Sequence, residues 1–282
     1  LPATAKHVAG GELFYEYLGP GAAPGSSFYR ITLRLFRDCS STGPLLENEI
    51  VQVGIYANNN RVTTLDLPRI DAIRSISLNT AAFPCLVGAV NVCYEIGIYS
   101  ATITLLDNVP GYTLSRIGCC RVDKISNLSQ PTNVGSNYVT RIPGTASLPV
   151  GHNSSPQFNV KDTALVCANK SFKLDFGAID PDGDSLTYSF CDAYTSGSGS
   201  INAPPPLNLN LITLPYAFPF NGSSSLGAMV TINPSTGLIT GIAPRTGSGS
   251  VLSVCLTEWR ICKPFTVPLN DFFLNFLDCD FV

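Results

Sequence analysis

Residues Phe28-Tyr29-Arg30-Ile31-Thr32-Leu33-Arg34-Leu35-Phe36 alternate, with Tyr29, Ile31, Leu33 and Leu35 on one side and Arg30, Thr32 and Arg34 on the other. Successive side chains of an extended chain point to opposite faces, so this stretch reads as a strand with one face on a core. The same period of two recurs outward from it. Tyr99, Ala101, Ile103 and Leu105 form one set, and Phe172, Leu174, Phe176 and Ala178 form another, broken by Lys173 and Asp175. Residues 251–259 and 272–277 look alike. Turn signals stand between them: Asn58-Asn59-Asn60, Pro110-Gly111, Pro181-Asp182-Gly183-Asp184 and Pro234-Ser235-Thr236-Gly237. Helical periodicity is nearly absent, and a turn or two around 67–73 is the one helix expected.

Many short strands with frequent turns predict an all-β fold of two β-sandwich domains in tandem. Residues 144–157 are rich in Pro, Ser and Asn and lack periodicity, so they are expected to link an N-terminal sandwich (1–150) to a second sandwich (151–282). The second half reads as immunoglobulin- or cadherin-like, with strand B at 172–178, C at 186–190, F at 251–259 and G at 272–277. The stretch 196–206, SGSGSINAPPP, is expected to be a long surface loop.

Charged residues make up only 13% of the chain, about half the share usual for soluble domains. Net charge is −3 with scattered basic residues, which gives no electrostatic footprint for nucleic acid. No apolar run is long enough to span a bilayer, so membrane insertion of this segment is not expected. The absence of an initial Met and of an apolar leader fits a signal peptide already removed.

Ten cysteines occur, at Cys39, Cys85, Cys93, Cys119, Cys120, Cys167, Cys191, Cys255, Cys262 and Cys279. There is no CxxC, and the only histidines are His7 and His152, so a thiolate metal site is disfavoured. An even count at wide spacing points to disulfides and an oxidising, extracellular setting. In the immunoglobulin-like layout the end of C lies near the start of F, which brings Cys191 to Cys255. Cys167 and Cys279 would close the first and last strands, running parallel at one edge, and Cys85 and Cys93 would staple a local loop. Sequence alone leaves these among many connectivities. Each half holds five cysteines, so either one bridge crosses or each half keeps a thiol.

Chemistry-bearing constellations are few. A Ser-His-Asp mechanism needs a base held against a nucleophile, and neither histidine has a motif around it; no enzyme is expected. Asp180, Asp182 and Asp184 place carboxylates at alternate positions, the hard oxygen ligands that Ca²⁺ takes. The competing reading is a tight turn whose Asp side chains cap backbone amides. Tyr216, Phe218 and Phe220 lie close together after the proline-rich loop, as do Phe14, Tyr15 and Tyr17. Exposed, they would stack on sugars or form a protein interface; at alternate strand positions they would be core.

The segments His7-Val8-Ala9-Gly10-Gly11-Glu12-Leu13 and Tyr29 to Cys39 (YRITLRLFRDC) resemble the start of a Bacteroidota surface-protein family. Its members open with H-x-x-G-G-E and a strand Y-x-I-T-L-x-x-x-R-D-C. The similarity continues through Cys93-Tyr94-Glu95, Cys119-Cys120-Arg121, Asn153-Ser154-Ser155-Pro156-Gln157-Phe158, Asp180 to Ser189 (DPDGDSLTYS), Ile232 to Gly241 (INPSTGLITG) and Glu258-Trp259-Arg260. Order and approximate spacing hold from residue 7 to residue 279. The resemblance implies the N-terminal region of long, repeat-rich proteins exported by type IX secretion, gliding-motility-associated or adhesin-like. This sequence departs from the pattern in stopping at Val282 and in carrying Cys262 where a polar turn is expected, a thiol available to the other half or to another molecule. Asp162-Thr163-Ala164 and Asp184-Ser185-Leu186 look like the short motif on which Bacteroidota add O-glycans, which marks Thr163 and Ser185.

The expected function is a non-catalytic structural or adhesive module at the cell surface. The alternatives are a subunit of an extracellular filament or sheath, homo-oligomeric or polymeric, and a carbohydrate-binding module. Partners would be other surface or filament subunits, or cell-surface glycans, with Ca²⁺ as the one cofactor the sequence would suit.

Overall fold

The computed structural model describes residues 7–78, 92–123, 125–130, 134–148, 151–159, 165–196, 204–244, 249–266 and 269–277. The chain is all-β. The first half contributes β1 (Val8–Pro20), β2 (Ser26–Asp38), β3 (Val51–Ala57), β4 (Asn60–Leu67), β5 (Arg74–Leu78), β6 (Val92–Leu106), β7 (Tyr112–Gly118) and β8 (Ser136–Ile142). Short strands follow: β9 (Gln157–Phe158), β10 (Leu165–Cys167), β11 (Ser171–Asp175), β12 (Ala178–Ile179), β13 (Ser185–Phe190), β14 (Tyr194–Thr195) and β15 (Ile212–Thr213). The last are β16 (Val230–Ile232), β17 (Leu238–Ile242), β18 (Ser250–Arg260), β19 (Lys263–Thr266) and β20 (Leu269–Leu277).

Strand β2 behaves as its alternation requires. Tyr29, Ile31, Leu33 and Leu35 are all buried, and they join Leu13 and Tyr15 of β1 and Val51, Val53 and Ile55 of β3 in one core. On the opposite face Phe36 enters a second core with Phe158, Phe176, Val251, Val254 and Leu256. One strand thus divides two cores. The Asn58-Asn59 signal forms the two-residue turn of the β3–β4 hairpin, with both residues at positive φ (48° and 64°), as a turn matched to strand twist demands.

Two large sheets carry the fold. One is nine-stranded, ordered β13-β18-β20-β1-β2-β6-β5, with β10 on β20 and β19 on β18; the other is six-stranded, ordered β15-β14-β8-β7-β3-β4. Strand C of the sequence reading pairs with strand F as expected, Ser189 opposite Cys255, and β10 runs parallel to β20. The sequence led us to expect separate sandwiches at 1–150 and 151–282, but hydrogen bonding crosses residue 150 in both sheets. Gly10, Gly11 and Glu12 of β1 pair with Phe272, Asp271 and Asn270 of β20, and Tyr194 of β14 pairs with Asn137 of β8. The proline loop also leans on the first half: Tyr56 Oη donates to Pro206 O at 3.0 Å, and the Leu209 N–H to Asn59 O at 2.8 Å. Residues 197–203 of that loop lie outside the described residues.

The helical turn expected at 67–73 is not there. Ile70 N–H donates to Ile98 O and Ser100 N–H to Pro68 O, so this segment stays extended beside β6. Short 3₁₀ turns occur instead at Leu46–Asn48 and Gly222–Ser224.

Sheets shared across residue 150 are expected to couple the unfolding of the two halves. Urea unfolding followed by the fluorescence of Trp259, in the second half, and by far-UV circular dichroism is expected to give coincident single transitions. Residues 1–150 expressed alone should be insoluble or unfolded. Two resolved transitions would mean that the β1–β20 junction does not couple the halves.

Candidate functional site

The segment Asn153-Ser154-Ser155-Pro156-Gln157-Phe158, which overlaps the linker expected at 144–157, is buried along β1 except at Gln157. Asn153, Ser154, Ser155 and Phe158 each retain no more than 4% exposure. The reason lies in the backbone of β1, whose second edge is paired with β20 only from Gly10 to Glu12. Beyond that point buried N–H and C=O groups need other partners. Ser155 Oγ accepts from Tyr15 N–H at 2.8 Å, Ser155 N–H donates to Tyr15 O at 2.9 Å, and Ser154 Oγ accepts from Tyr17 N–H at 3.1 Å.

Charged groups collect around this suture. Glu12 Oε2 meets Arg34 Nη2 at 2.5 Å and Oε1 accepts from Phe158 N–H at 3.0 Å. Burial raises the Glu12 carboxyl above its ordinary value, although Arg34 and the Phe158 amide pull it down. Asn153 Nδ2 donates to Tyr15 Oη at 2.9 Å and to the fully buried Glu258 Oε1 at 2.8 Å. Burial, and then the Glu258 charge, drive the Tyr15 phenol well above its usual range.

The Asp180-Pro-Asp-Gly-Asp184 loop docks on the same seam. Its three carboxylates come within 4.8 Å of one another. Asp180 Oδ1 accepts the N–H groups of Asp182 and Asp184 at 3.0 and 2.9 Å, the turn-capping geometry. Asp182 Oδ2 accepts Ser154 N–H at 2.6 Å. Arg260, at the end of β18, grips Asp184 at both oxygens (2.8 and 2.5 Å) and reaches His152 O at 2.8 Å and Asn153 Oδ1 at 3.0 Å. Ca²⁺ takes about six to eight oxygen ligands. Here a guanidinium already holds Asp184 and lies 3.7 Å from Asp182, so the loop fits Arg260 well and fits a calcium ion poorly. Asp180 Oδ2 is buried without a hydrogen bond, and burial together with its two neighbouring carboxylates raises Asp180 above the ordinary Asp value.

A second charged cluster closes the start of β1. His7 is fully buried, its Nε2 3.7 Å from Glu49 Oε2, an ion-pair distance rather than a hydrogen bond, while Arg116 Nη2 contacts Glu49 Oε1. Burial opposes ionisation of Glu49, but His7 and Arg116 together outweigh it and hold the carboxyl below its ordinary 4.5.

Among the cysteines, Cys191–Cys255 forms with Cα atoms 5.8 Å apart. The expected Cys85–Cys93 staple does not. Cys93 bonds Cys39 instead, because the β2–β6 register places Asp38 opposite Tyr94 and brings the next residues across from each other, Cα–Cα 5.4 Å. Cys119 and Cys120 bond each other, and Cys167 is in a disulfide. Cys262 is free and exposed at the tip of the β18–β19 hairpin, so it forms no bridge to the other half. Cys85, Cys279 and Thr163 lie outside the described residues. Ser185 is exposed at the start of β13.

The aromatic trio separates. Tyr216 is half-buried, its Oη accepting Ala193 N–H at 3.1 Å, and Phe220 is half-buried too; Phe218 is 98% exposed. The sequence reading missed a different aromatic grouping. Tyr17 and His152 stack with centroids 4.0 Å apart and planes 7° from parallel. Beside them Tyr29, Asp107, Asn108, Tyr112, Ile142 and His152 line a cleft of about 260 Å³. Ser27 Oγ donates to Asp107 Oδ1 at 2.7 Å, Gly111 N–H to Asn108 Oδ1 at 2.5 Å, and Tyr112 Oη to Leu106 O at 2.6 Å. Burial pushes the Tyr29 phenol up to about 12, so it stays neutral at physiological pH.

Compared with known proteins, the chain matches no family model and no curated protein.

Two predictions follow from the charged clusters. Arg260→Met leaves Asp182 and Asp184 facing each other without a cation and should cost about 3 kcal/mol. Millimolar Ca²⁺ should then raise the melting temperature of the variant and leave the wild type unmoved; a wild-type response to Ca²⁺ or to a chelator would contradict this reading of the loop. Glu49→Gln strands Arg116 and should cost about 3 kcal/mol at pH 7. The folded carboxyl ionises below 4.5, so the unfolded chain holds more protons just under that pH. Glu49's contribution is therefore present above 4.5 and lost as pH falls through the lowered value, and the gap between wild type and variant in urea unfolding should narrow there. A gap independent of pH would rule the pairing out.

Proposed function

We propose that this chain is a non-catalytic extracellular module that presents a rigid β surface for attachment at a bacterial cell surface. It corresponds in this reading to the N-terminal region of type IX-secreted, gliding-associated or adhesin-like proteins of Bacteroidota. Its second half follows an immunoglobulin- or cadherin-like pairing of β13, β18 and β20, fused in tandem to the first sandwich. The observation that carries the reading is an all-β frame whose strands are tied by Cys39–Cys93 and Cys191–Cys255. Such bridges persist in oxidising compartments, and each contributes about 2–4 kcal/mol where no chaperone can repair an unfolded chain. The segments that carry the family resemblance add support by converging in space: Glu12, Asn153 to Phe158, Asp182, Asp184, Glu258 and Arg260 share one hydrogen-bonded network.

A second reading, a subunit of an extracellular filament, draws on two exposed features. Strand β4 is the edge of the six-stranded sheet and is largely exposed; residues 207–208 pair with its start at Asn60 and Arg61, and the remainder is the kind of edge that accepts another strand. Cys262 offers a thiol for a covalent link. A carbohydrate-binding reading through Phe218 would use the exposed ring alone, since its neighbours pack inward.

Antibody against the chain is expected to label intact cells, and labelling that needs permeabilised cells would overturn the surface reading. The mass of the native chain with and without reductant separates the two forms. A reduced mass far above 30.0 kDa fits a long adhesin; larger species seen only without reductant fit a disulfide-linked polymer.

A further inference from the structure

The cleft between the β6–β7 turn and the segment after β8 has a lining suited to one kind of ligand. Tyr29 and Tyr112 reach it from the two different sheets, and His152 is held by its stack on Tyr17. Ring faces of this kind pack against the C–H face of a sugar. Asp107 Oδ2 and Asn108 Nδ2 make no hydrogen bond among the described residues, while the other atom of each head group is fixed by Ser27 and by Gly111. An acceptor and a donor on adjacent residues therefore stand ready at the rim, already oriented. At about 260 Å³ the cleft is smaller than the roughly 300–1,000 Å³ of pockets for drug-sized ligands, a size for one ring rather than a chain.

We propose that this cleft binds a single unit of a neutral glycan, with Asp107 and Asn108 gripping neighbouring hydroxyls and the Tyr112 and His152 rings taking the flat face. The proposal names the ligand of the attachment module above and rests on that reading. A hydroxyl both donates and accepts, so adjacent hydroxyls satisfy the carboxylate and the amide together. An ammonium ligand only donates and would leave the Asn108 NH₂ without a partner. Among the described residues neither Lys nor Arg lines the cleft, and the Asp107 charge disfavours sialylated or sulfated sugars.

The test is an array of neutral and sialylated oligosaccharides probed with the full 282-residue chain, then calorimetric titration with a neutral glycan that binds. Asp107→Asn and His152→Ala, both at exposed positions, are expected to weaken binding tenfold or more, which is about 1.4 kcal/mol per tenfold. The melting temperature should be unchanged for Asp107→Asn and only slightly lowered for His152→Ala, which loses its stack on Tyr17. Phe218→Ala should bind as the wild type does. Binding of no neutral oligosaccharide, binding confined to sialylated glycans, displacement by tetramethylammonium, or affinity unmoved by both cleft substitutions would each overturn the site. A chain that labels intact cells yet binds no sugar overturns this cleft alone; one that binds sugar but stays inside the cell overturns the surface reading and leaves the cleft standing.

Discussion

Everything around the seam answers to the unsatisfied edge of β1. This strand sits inside the nine-stranded sheet with β2 along one edge, but β20 covers its other edge only at Gly10, Gly11 and Glu12. Backbone groups that pass out of water without partners cost too much to leave open. Residues 153–158 complete the edge, using serine side chains where a strand would use its main chain. Once that segment is held, Asn153 reaches Glu258, the Asp180–Asp184 loop receives Ser154, and Arg260 closes the circuit.

The energetics of such a seam are those of buried charge. Taking Glu12, Glu49, Arg116 and Glu258 out of water is unfavourable, and the attraction between partners offsets that cost only when every lone pair and N–H is used. Neither cluster does so fully: Arg34 Nε at one, and Arg116 Nε and Nη1 at the other, are buried without a hydrogen bond. Burial dominates at Glu12, whose carboxyl rises; paired cations dominate at Glu49, whose carboxyl falls. What the clusters contribute is geometric definition. At the seam a shift of register would strand Glu12 and uncouple Tyr15 from the Asn153–Glu258 pair at once.

Much of the framework was legible in the residues. The alternation of Tyr29, Ile31, Leu33 and Leu35 works because a period of two leaves no choice of face once one face is buried. The neighbourhood of strands C and F followed from topology and carried Cys191–Cys255 with it. Cys39–Cys93 was hidden because it depends on a β2–β6 register across 54 residues, and proximity in sequence pointed to Cys85 instead. The segment 144–157 misled for a chemical reason: Ser and Asn suit a solvated linker and also suit a buried segment that must supply side-chain acceptors. Nothing local told the two apart. The Asp loop drew attention as a cation site, yet its cation is a guanidinium contributed 76 residues later. Tyr17 and His152 likewise meet only through the fold.

The β1–β20 pairing also has a mechanical side. The strands are antiparallel, with Gly10 opposite Phe272 and Glu12 opposite Asn270, so residues 8 and 277 leave the ladder from the same end. Tension between those two points would meet the hydrogen bonds one after another, as a zipper opens, instead of shearing them together. Load entering through the cleft near His152 would reach the sheet elsewhere, across β2 and β6, whose thirteen-residue register must slip as a block.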